Sequence, residues 1–500
     1  MGDYWLCDDF DLVRRASALR HQFISCVLKV VCGLWKNTEP QDKAEMARLL
    51  SIVQNQGESN WDPTYSLCEK CDKSKGTIPD EREHGVLINE SHRVCDFYSH
   101  LLRKINSAFS DSNTYVFTRL EIEDIKSSVE EIVHSIVSSL PSSSIQHEDK
   151  GSKHAVVEMG SFYDKTKIGQ PDEFDFLAVV QRLQNGCYVP ERSCTERPGS
   201  CHLVVKDKTG QHKILTSVTD ENGQVNVKSF RWKCLKDMHF SIQTLGHQGT
   251  VNKETGVLTV ENYAVAINGP QCILKLRWKP TRHKRTLSIS VDLVPAIEIE
   301  RVSDVINRCD VVDESVYTEL VNARRCYVIA KPLKSCDYCF KLVFPNADQS
   351  LVQNLDVGLK NALHILKYVA NLVNETSPLL KKVFNTFSLK MAVLQYNFND
   401  EVLRSKRVHV GTSVVGILSI IHNGLEQTPP FLSSAFTIGR NVWGTLSHSP
   451  EAEKDIVSQS KQLVWKLKTF FSDTRLTEEM DEIEFHELRC DLVNICHLYN

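Results

Sequence analysis

A short stretch in the first half of the chain combines a Gly-Ser turn with two acids spaced two residues apart. An apolar segment at 155–157 predicts a strand, and Gly160 and Ser161 predict a turn after it. Glu173 and Asp175 then open a second strand, where side chains two apart point the same way. Two adjacent carboxylates repel each other unless a cation lies between them, and a hard divalent metal meets that need. An isolated Glu-x-Asp pair is also typical of a solvated strand edge.

A third acid lies in a downstream segment, 286–294, where apolar and polar residues alternate. One face carries the apolar residues Leu287, Ile289, Val291 and Leu293. Asp292 therefore points out of a strand whose opposite face is apolar. If this strand pairs with the strand of Glu173, three carboxylates converge beside the backbone N–H groups of the Gly-Ser turn. That arrangement is suited to holding a metal-bound triphosphate.

These motifs, in this order and spacing, resemble those of the cyclic GMP-AMP synthase-like receptors, which are nucleotidyltransferases of the wider male-abnormal family. The resemblance spans roughly residues 100 to 400, and its specific part runs from the Gly-Ser turn to Glu-x-Asp. It implies an α+β fold of the two-lobed nucleotidyltransferase (polymerase-β-like) type. The expected parts are a mixed β-sheet core, a long spine helix and a helical C-terminal lobe.

The predicted elements divide the chain into three parts. Residues 1–95 are expected to form a helical N-terminal extension of unknown role, 96–345 the nucleotidyltransferase core, and 346–500 the helical lobe. An apolar stripe at helical spacing over 120–140 predicts the spine helix. Further strands are predicted at 225–232, 263–267, 272–278, 326–332 and 340–345.

The resemblance implies a role for each matching residue. Glu173, Asp175 and Asp292 would be catalytic and would hold two Mg²⁺ or Mn²⁺ ions. The implied nucleotide-binding residues are Gly160, Ser161, Lys341, Lys367, Thr386 and Phe387. Among these, Lys367 and the Thr386 hydroxyl would contact phosphate, and Phe387 would stack on a base. Val343 and Pro345 stand where related enzymes carry serines, which leaves the nucleotide pair open.

The implied reaction is synthesis of a cyclic dinucleotide second messenger, 2',3'-cyclic GMP-AMP from ATP and GTP, in innate immunity. Double-stranded nucleic acid would trigger it, and dimerisation on that ligand is a further expectation. Residues 346–360 are too short for the His-Cys-Cys-Cys zinc ribbon of the vertebrate DNA sensor and contain neither Cys nor His. No zinc ribbon is therefore expected, and RNA is favoured over DNA. Two alternatives stay open: a catalytically inactive scaffold of the same fold, and an enzyme that adds nucleotides to RNA ends.

The charge pattern offers one candidate nucleic-acid contact. The net charge of −4 gives no global basic field, so a nucleic-acid site has to be a local patch. Residues 277–285 form such a basic run, with Lys279, Arg282, Lys284 and Arg285 as the candidate contacts. The same run is also typical of a solvated hairpin tip. The predicted helix at 120–140 is rich in acids, which argues against it as a phosphate-binding surface.

The seventeen cysteines are scattered along a long chain with no secretory signal pattern, which favours reduced thiols and a cytoplasmic protein. No stretch reaches the length of a membrane span, so no membrane partner is expected. Cys68 and Cys71 form a Cys-x-x-Cys pair, with His92 and Cys95 as the nearby ligands. The pair could open a zinc site or consist of two ordinary thiols.

Overall fold

The computed structural model describes residues 97–107, 117–140, 156–183, 188–192, 199–205, 215, 217–245, 250–265, 269–282, 284–306, 311, 313–331, 336–399, 409–437, 439–447, 449–478, 480 and 482–497. The predicted N-terminal extension and its Cys68–Cys71 pair lie outside these residues. The chain divides into two compact units, and the larger comprises 78–109, 116–480 and 492–500. Residues 482–491, in the last helix listed below, belong to the smaller unit, and the rest of the described fold is that of the larger unit. The three predicted domain boundaries stay predictions.

Helices and strands are mixed along the described residues, as expected for the α+β class. The helices are α1 (Phe97–Ser107), α2 (Arg119–Ser138), α3 (Gly160–Tyr163), α4 (Val227–Leu245), α5 (Glu314–Asn322), α6 (Pro345–Gln353), α7 (Val357–Thr376), α8 (Thr386–Asn399), α9 (Val410–Glu426), α10 (Pro450–Phe471) and α11 (Glu482–His497). The strands are β1 (Val156–Met159), β2 (Glu173–Leu183), β3 (Tyr188–Arg192), β4 (Ser200–Val205), β5 (Thr250–Asn252), β6 (Gly256–Val265), β7 (Cys272–Pro280), β8 (Leu287–Ile299), β9 (Cys326–Ile329) and β10 (Phe340–Val343).

The strands form one mixed sheet. Its main path runs β3-β4-β10-β9-β8-β7-β6-β5, and β1 and β2 join through β8. The pairing of β2 with β8 is parallel, whereas the other strand pairs are antiparallel. Leu177, Val294 and Tyr327 belong to a buried cluster on this sheet. Leu177 and Val294 follow Asp175 and Asp292 by two residues, so this cluster lies on the same face of β2 and β8 as the two acids. Phe174 and Val291 are buried on the opposite face, so both faces of these strands are covered near the acids.

One predicted strand is wrong. Residues 225–232 were expected to be extended, but from Val227 onward they form the first turns of α4. Phe230, Cys234 and Met238 are buried, and this spacing of about four residues is helical. Asn226 begins the helix, because its side-chain oxygen accepts a hydrogen bond from the backbone N–H of Ser229 at 2.9 Å. A window of eight residues was too short to show the helical period.

Helix α2 matches the predicted spine helix and packs against α4 and against strands β1, β5 and β6. Its acids serve this packing. Asp124 accepts hydrogen bonds from the backbone N–H and hydroxyl of Thr255, at 3.0 and 2.8 Å. Glu131 forms an ion pair with Lys253 at 3.2 Å. Two of the acids of this helix, Asp124 and Glu131, therefore attach it to the β5–β6 connection.

The helices that follow the sheet pack on one another and on its acid-bearing side. Helix α7 contacts α1, α8 and α9, and α9 contacts α10. Helix α6 contacts β1, α5 and α8, so it links this group to the strand that leads into the Gly-Ser turn. Among the helices that the structure describes, none has the length and apolarity needed to cross a membrane.

Candidate functional site

The three predicted acids come together on two neighbouring strands. In the parallel pair of β2 and β8, Asp175 lies opposite Asp292, and Glu173 lies opposite Ser290. The side chains of Asp175 and Asp292 are half-buried, and that of Glu173 is 61% exposed. The sequence expectation that these strands pair is confirmed, and the pairing brings the acids to one place.

Burial and the charge of Glu173 raise the pKa of both aspartates in this cluster. Burial, followed by the charges of Glu173 and Asp292, raises the pKa of Asp175 to about 7. Burial and Glu173 also raise the pKa of Asp292, against the opposing effect of Lys275. A cluster of carboxylates that resists ionisation in this way is a favourable site for a divalent cation, because the cation neutralises the repulsion.

The Gly-Ser turn lies directly against this cluster. Strand β1 is antiparallel to β2 with Met159 opposite Asp175, and the chain then turns into the single helical turn of α3. Gly160 has a φ of +82°, and a Cβ on it would lie 2.0 Å from Oδ2 of Asp175. Only glycine fits this conformation and this close approach. The backbone of Gly160 and Ser161 is thereby held beside the acids.

The loop after α3 is attached to the acids by Lys167. Its ammonium lies 2.8 Å from Asp172 Oδ1 and 3.3 Å from Glu173 Oε2. Burial opposes the charge of this lysine, but the two carboxylates outweigh it and raise its pKa. In this arrangement Lys167 supplies positive charge to Glu173, which is the most exposed of the three acids.

A buried ionic network fixes the same loop to the helices. Lys390 on α8 lies 2.6 Å from Asp164 Oδ2 and 2.7 Å from Asp348 Oδ2 of α6. The hydroxyl of Thr166 donates to Asp164 Oδ1 at 2.6 Å, and the Thr166 backbone N–H donates to the same oxygen at 3.1 Å. Burial opposes the charge of Lys390, but Asp348 and Asp164 outweigh it and raise its pKa.

Lys367 on α7, a predicted phosphate contact, extends this network. Its ammonium donates to the backbone oxygen of Thr166 and lies 3.1 Å from the Thr166 hydroxyl. Burial, together with nearby Lys390 and Lys167, lowers the pKa of Lys367 to about 7. Lys367 is therefore placed behind the loop that leads from the Gly-Ser turn to Glu173.

Two other predicted nucleotide contacts lie together. The Lys341 ammonium on β10 is 5.6 Å from the ring centroid of Phe387 at the start of α8. Burial, followed by the charges of Arg440 and Lys331, lowers the pKa of Lys341 to about 7. Phe387 is 40% exposed, and neighbouring Thr386 is exposed as well. The ring therefore presents a surface on which a base could stack.

The predicted basic run forms the connection between β7 and β8. Trp278 pairs with Leu287 at the last register position, so 279–286 form the end of this hairpin. The four candidate contacts Lys279, Arg282, Lys284 and Arg285 are all exposed. Arg277, at the base of the hairpin, forms an ion pair with Glu261. The hairpin is a different part of the surface from the acids.

The part of the chain that contains the three acids matches a known protein family. Residues 162–354 match the Mab-21 protein nucleotidyltransferase domain. This part of the chain is therefore similar to the nucleotidyltransferase domain of the family that contains cyclic GMP-AMP synthase-like proteins. The match includes the three acids and Lys341. Gly160, Ser161, Lys367, Thr386 and Phe387 lie outside the matched range, so only the structure relates them to the domain.

The donor set fits the divalent metals on which nucleotidyltransferases usually depend. Glu173, Asp175 and Asp292 supply hard carboxylate oxygens, and Gly160 leaves the space that a side chain would fill next to Asp175. The structure brings these acids and the Gly-Ser turn together. It places Lys341 and Phe387 in a second pair, and Lys367 behind the intervening loop.

The residues that attach the loop were missed by the sequence analysis. Asp164, Asp348 and Lys390 come from three separate elements, and no spacing rule connects them. The one local signal was the Asp-x-Thr spacing of Asp164 and Thr166, which is typical of an Asx turn. Gln349 was also missed, and its side chain donates to the backbone oxygen of Tyr163 at 2.8 Å.

Proposed function

We propose that this protein is a metal-dependent nucleotidyltransferase that makes a cyclic dinucleotide, cyclic GMP-AMP from ATP and GTP. The observation that carries the proposal is the register of Asp175 against Asp292, with Glu173 and the Gly160 turn beside them. A scaffold protein has no use for three acids held this close together, two of which have a raised pKa. The matched nucleotidyltransferase domain supports nucleotide substrates.

In this proposal the three acids hold two Mg²⁺ or Mn²⁺ ions. Bound there, the metals would supply charge neutralisation for the triphosphate and acidify the attacking ribose hydroxyl. The backbone N–H groups of Gly160 and Ser161, at the start of the single helical turn α3, bind phosphate oxygens. Because Lys167 lies 3.3 Å from Oε2 of Glu173, a metal bound at this carboxylate would compete with the lysine for it.

The remaining nucleotide contacts follow from the second pair of residues. Phe387 stacks on a base through its exposed face, and Lys341 beside it provides a donor to base or phosphate. Lys367 acts on the triphosphate through Thr166 and through its charge behind the loop. The proposed architecture is two-lobed and polymerase-β-like, with the helices after β10 closing over the sheet.

We further propose that double-stranded RNA activates the enzyme in the cytoplasm as part of innate immunity, with dimerisation on the ligand. The exposed basic residues of the β7–β8 hairpin are the candidate phosphate contacts. Activation then acts on the loop from Ser161 to Asp172. Because this loop is attached to α6, α7 and α8, a shift of those helices relative to the sheet would move it.

The test is incubation of the purified full chain with labelled ATP, GTP, CTP and UTP, Mg²⁺ or Mn²⁺, and double-stranded RNA, double-stranded DNA or neither. Asp175→Asn removes one acid, and Asp455→Asn, an exposed acid on α10, is the matched control. A phosphatase-resistant cyclic product that requires RNA, persists in Asp455→Asn and disappears in Asp175→Asn supports the proposal. Extended RNA would indicate an RNA-end nucleotidyltransferase. A folded protein that neither binds nucleotide nor forms product would indicate a scaffold.

A further inference from the structure

A second group of metal-ligating side chains lies near the β3–β4 end of the sheet, and β5 and β6 form the other end. His202 on β4 and two cysteines of the turn before β10, Cys336 and Cys339, converge with their donor atoms within 4.8 Å of one another. Nε2 of His202 is 3.1 Å from Sγ of Cys339 and 3.6 Å from Sγ of Cys336. Strand β9 separates β10 from β8, so this group is distinct from the three acids.

We propose that His202, Cys336 and Cys339 bind a structural zinc ion. Tetrahedral zinc holds sulfur at about 2.3 Å and histidine nitrogen at about 2.0 Å, which places a sulfur and a nitrogen ligand about 3.5 Å apart. The two measured separations bracket that value. A disulfide would account for two adjacent thiols, but it gives no reason for the imidazole nitrogen to face both sulfurs.

The sheet register creates this convergence. Strands β4 and β10 are antiparallel with Cys201 opposite Phe340, so His202 is next to the position of Cys339. The turn that carries Cys336 is attached to the start of α4, because the backbone oxygen of Asp337 accepts a hydrogen bond from the Val227 backbone N–H at 2.7 Å. The Cys-x-x-Cys spacing then places both sulfurs on the same side of the turn as the imidazole.

The chemistry of the three donors selects the metal. Thiolate and imidazole favour zinc, whereas carboxylates favour Mg²⁺ or Mn²⁺. Cys339 is fully buried, and Cys336 and His202 are half-buried, as in a site that is closed around its ion. The ion would bind β4 to the turn before β10 and so support the strand that carries Lys341, two residues after Cys339. A fourth ligand completes the tetrahedron, and its identity is a result of the measurement below.

The first test is the zinc content of the full chain after passage over a chelating resin. We expect Cys336→Ser, Cys339→Ser and His202→Asn each to contain about one equivalent of zinc less than the unmodified chain. The matched control is the double variant Cys68→Ser/Cys71→Ser, which removes a pair of the same Cys-x-x-Cys spacing. Cys234→Ala, a buried thiol on α4, controls for loss of an unrelated cysteine. Both controls are expected to keep this equivalent.

The second test needs no change at the site, and it decides the matter if the site variants do not fold. Zinc X-ray absorption of the Cys68→Ser/Cys71→Ser chain should show at least two sulfur ligands at about 2.3 Å and nitrogen at about 2.0 Å. Zinc that is absent, unchanged in all three site variants, or bound only by oxygen and nitrogen would overturn the proposal. A Cys336–Cys339 disulfide in non-reducing peptide maps of protein purified under reducing conditions would overturn it too.

Discussion

Asp175 of β2 lies directly opposite Asp292 of β8 in the parallel part of the sheet, so two carboxylates share one position with Glu173 beside them. Without a metal this pair is a source of instability, because burial and the charge of Glu173 raise the pKa of both aspartates, and Asp292 further raises that of Asp175. When a metal binds, the same carboxylates serve as its ligands. We therefore expect the stability of the protein to depend on divalent cations.

Asp175→Asn is expected to stabilise the protein in the presence of EDTA. Removing one charge relieves the repulsion, and we expect a gain of about 1–3 kcal/mol in the free energy of unfolding. Added Mg²⁺ or Mn²⁺ should raise the melting temperature of the unmodified chain and leave that of the variant unchanged. Thermal unfolding with and without metal measures both effects. Asp455→Asn should respond to metal as the unmodified chain does, and a variant less stable in EDTA would contradict this view of the site.

Gly160→Ala should damage the site more than an ordinary glycine substitution does. Its Cβ would meet Oδ2 of Asp175 at 2.0 Å, in addition to the strain of a φ of +82°. The matched control is Gly444→Ala, where φ is +60° and a Cβ would have nothing within 4 Å. We expect the control to lose about 1 kcal/mol and Gly160→Ala to lose about 2–4 kcal/mol together with product formation. Denaturant unfolding measures the two losses, and equal losses would show that the contact with Asp175 is unimportant.

Lys390→Met should be strongly destabilising. It leaves Asp164 and Asp348 buried without the cation that lies 2.6 and 2.7 Å from them. Breaking a buried ionic network on one side costs about 3–5 kcal/mol. Lys461→Met, which removes a partly exposed ion pair with Glu426 at 3.0 Å, should cost less than about 1 kcal/mol. Urea unfolding of both variants compares them, and similar small losses would mean that the network contributes little.

Lys367 makes the free energy of unfolding depend on pH, in a direction that follows from its pKa. Its pKa is about 7 in the folded protein and returns to its ordinary, higher value on unfolding. Between these values the unfolded chain binds more protons, so this lysine favours the folded state increasingly as the pH rises. The unfolding free energy of the unmodified chain minus that of Lys367→Met should increase by about 2 kcal/mol from about pH 7 to about pH 9. A difference that is flat or falls over this range would show that the ammonium is not held in a desolvated position.

Phe387→Ala should weaken nucleotide binding, whereas Phe387→Tyr should keep it. The exposed ring beside Lys341 offers a stacking face, and stacking on a base is worth about 1–3 kcal/mol. We therefore expect KM or Kd for nucleotide to rise by about 5- to 150-fold in the alanine variant. Phe240→Ala, which removes an exposed aromatic ring on α4, is the control. Isothermal titration with a non-hydrolysable ATP analogue measures the affinity, and an unchanged Kd in Phe387→Ala would exclude stacking there.

Much of the secondary structure could be predicted because the relevant signals are local. The apolar stripe of α2 and the strict alternation of β8 each fill one long element with a clear period. The wrong strand at 225–232 shows the limit of this reasoning. Only the full length of α4, with Phe230 and Met238 buried, reveals its period, and its first residues look extended when read alone.

The chain itself determined which strands carry acids and where the Gly-Ser turn lies, because periodicity and turn chemistry act within a few residues. Only the tertiary structure decided that Asp175 meets Asp292, through parallel pairing of two strands far apart in the chain. It also decided that Lys390 neutralises Asp164 and that His202 faces a Cys-x-x-Cys turn. Such contacts depend on the order of strands in the sheet, which no local pattern in the sequence reveals. They also depend on burial, because burial strengthens the interaction between charges.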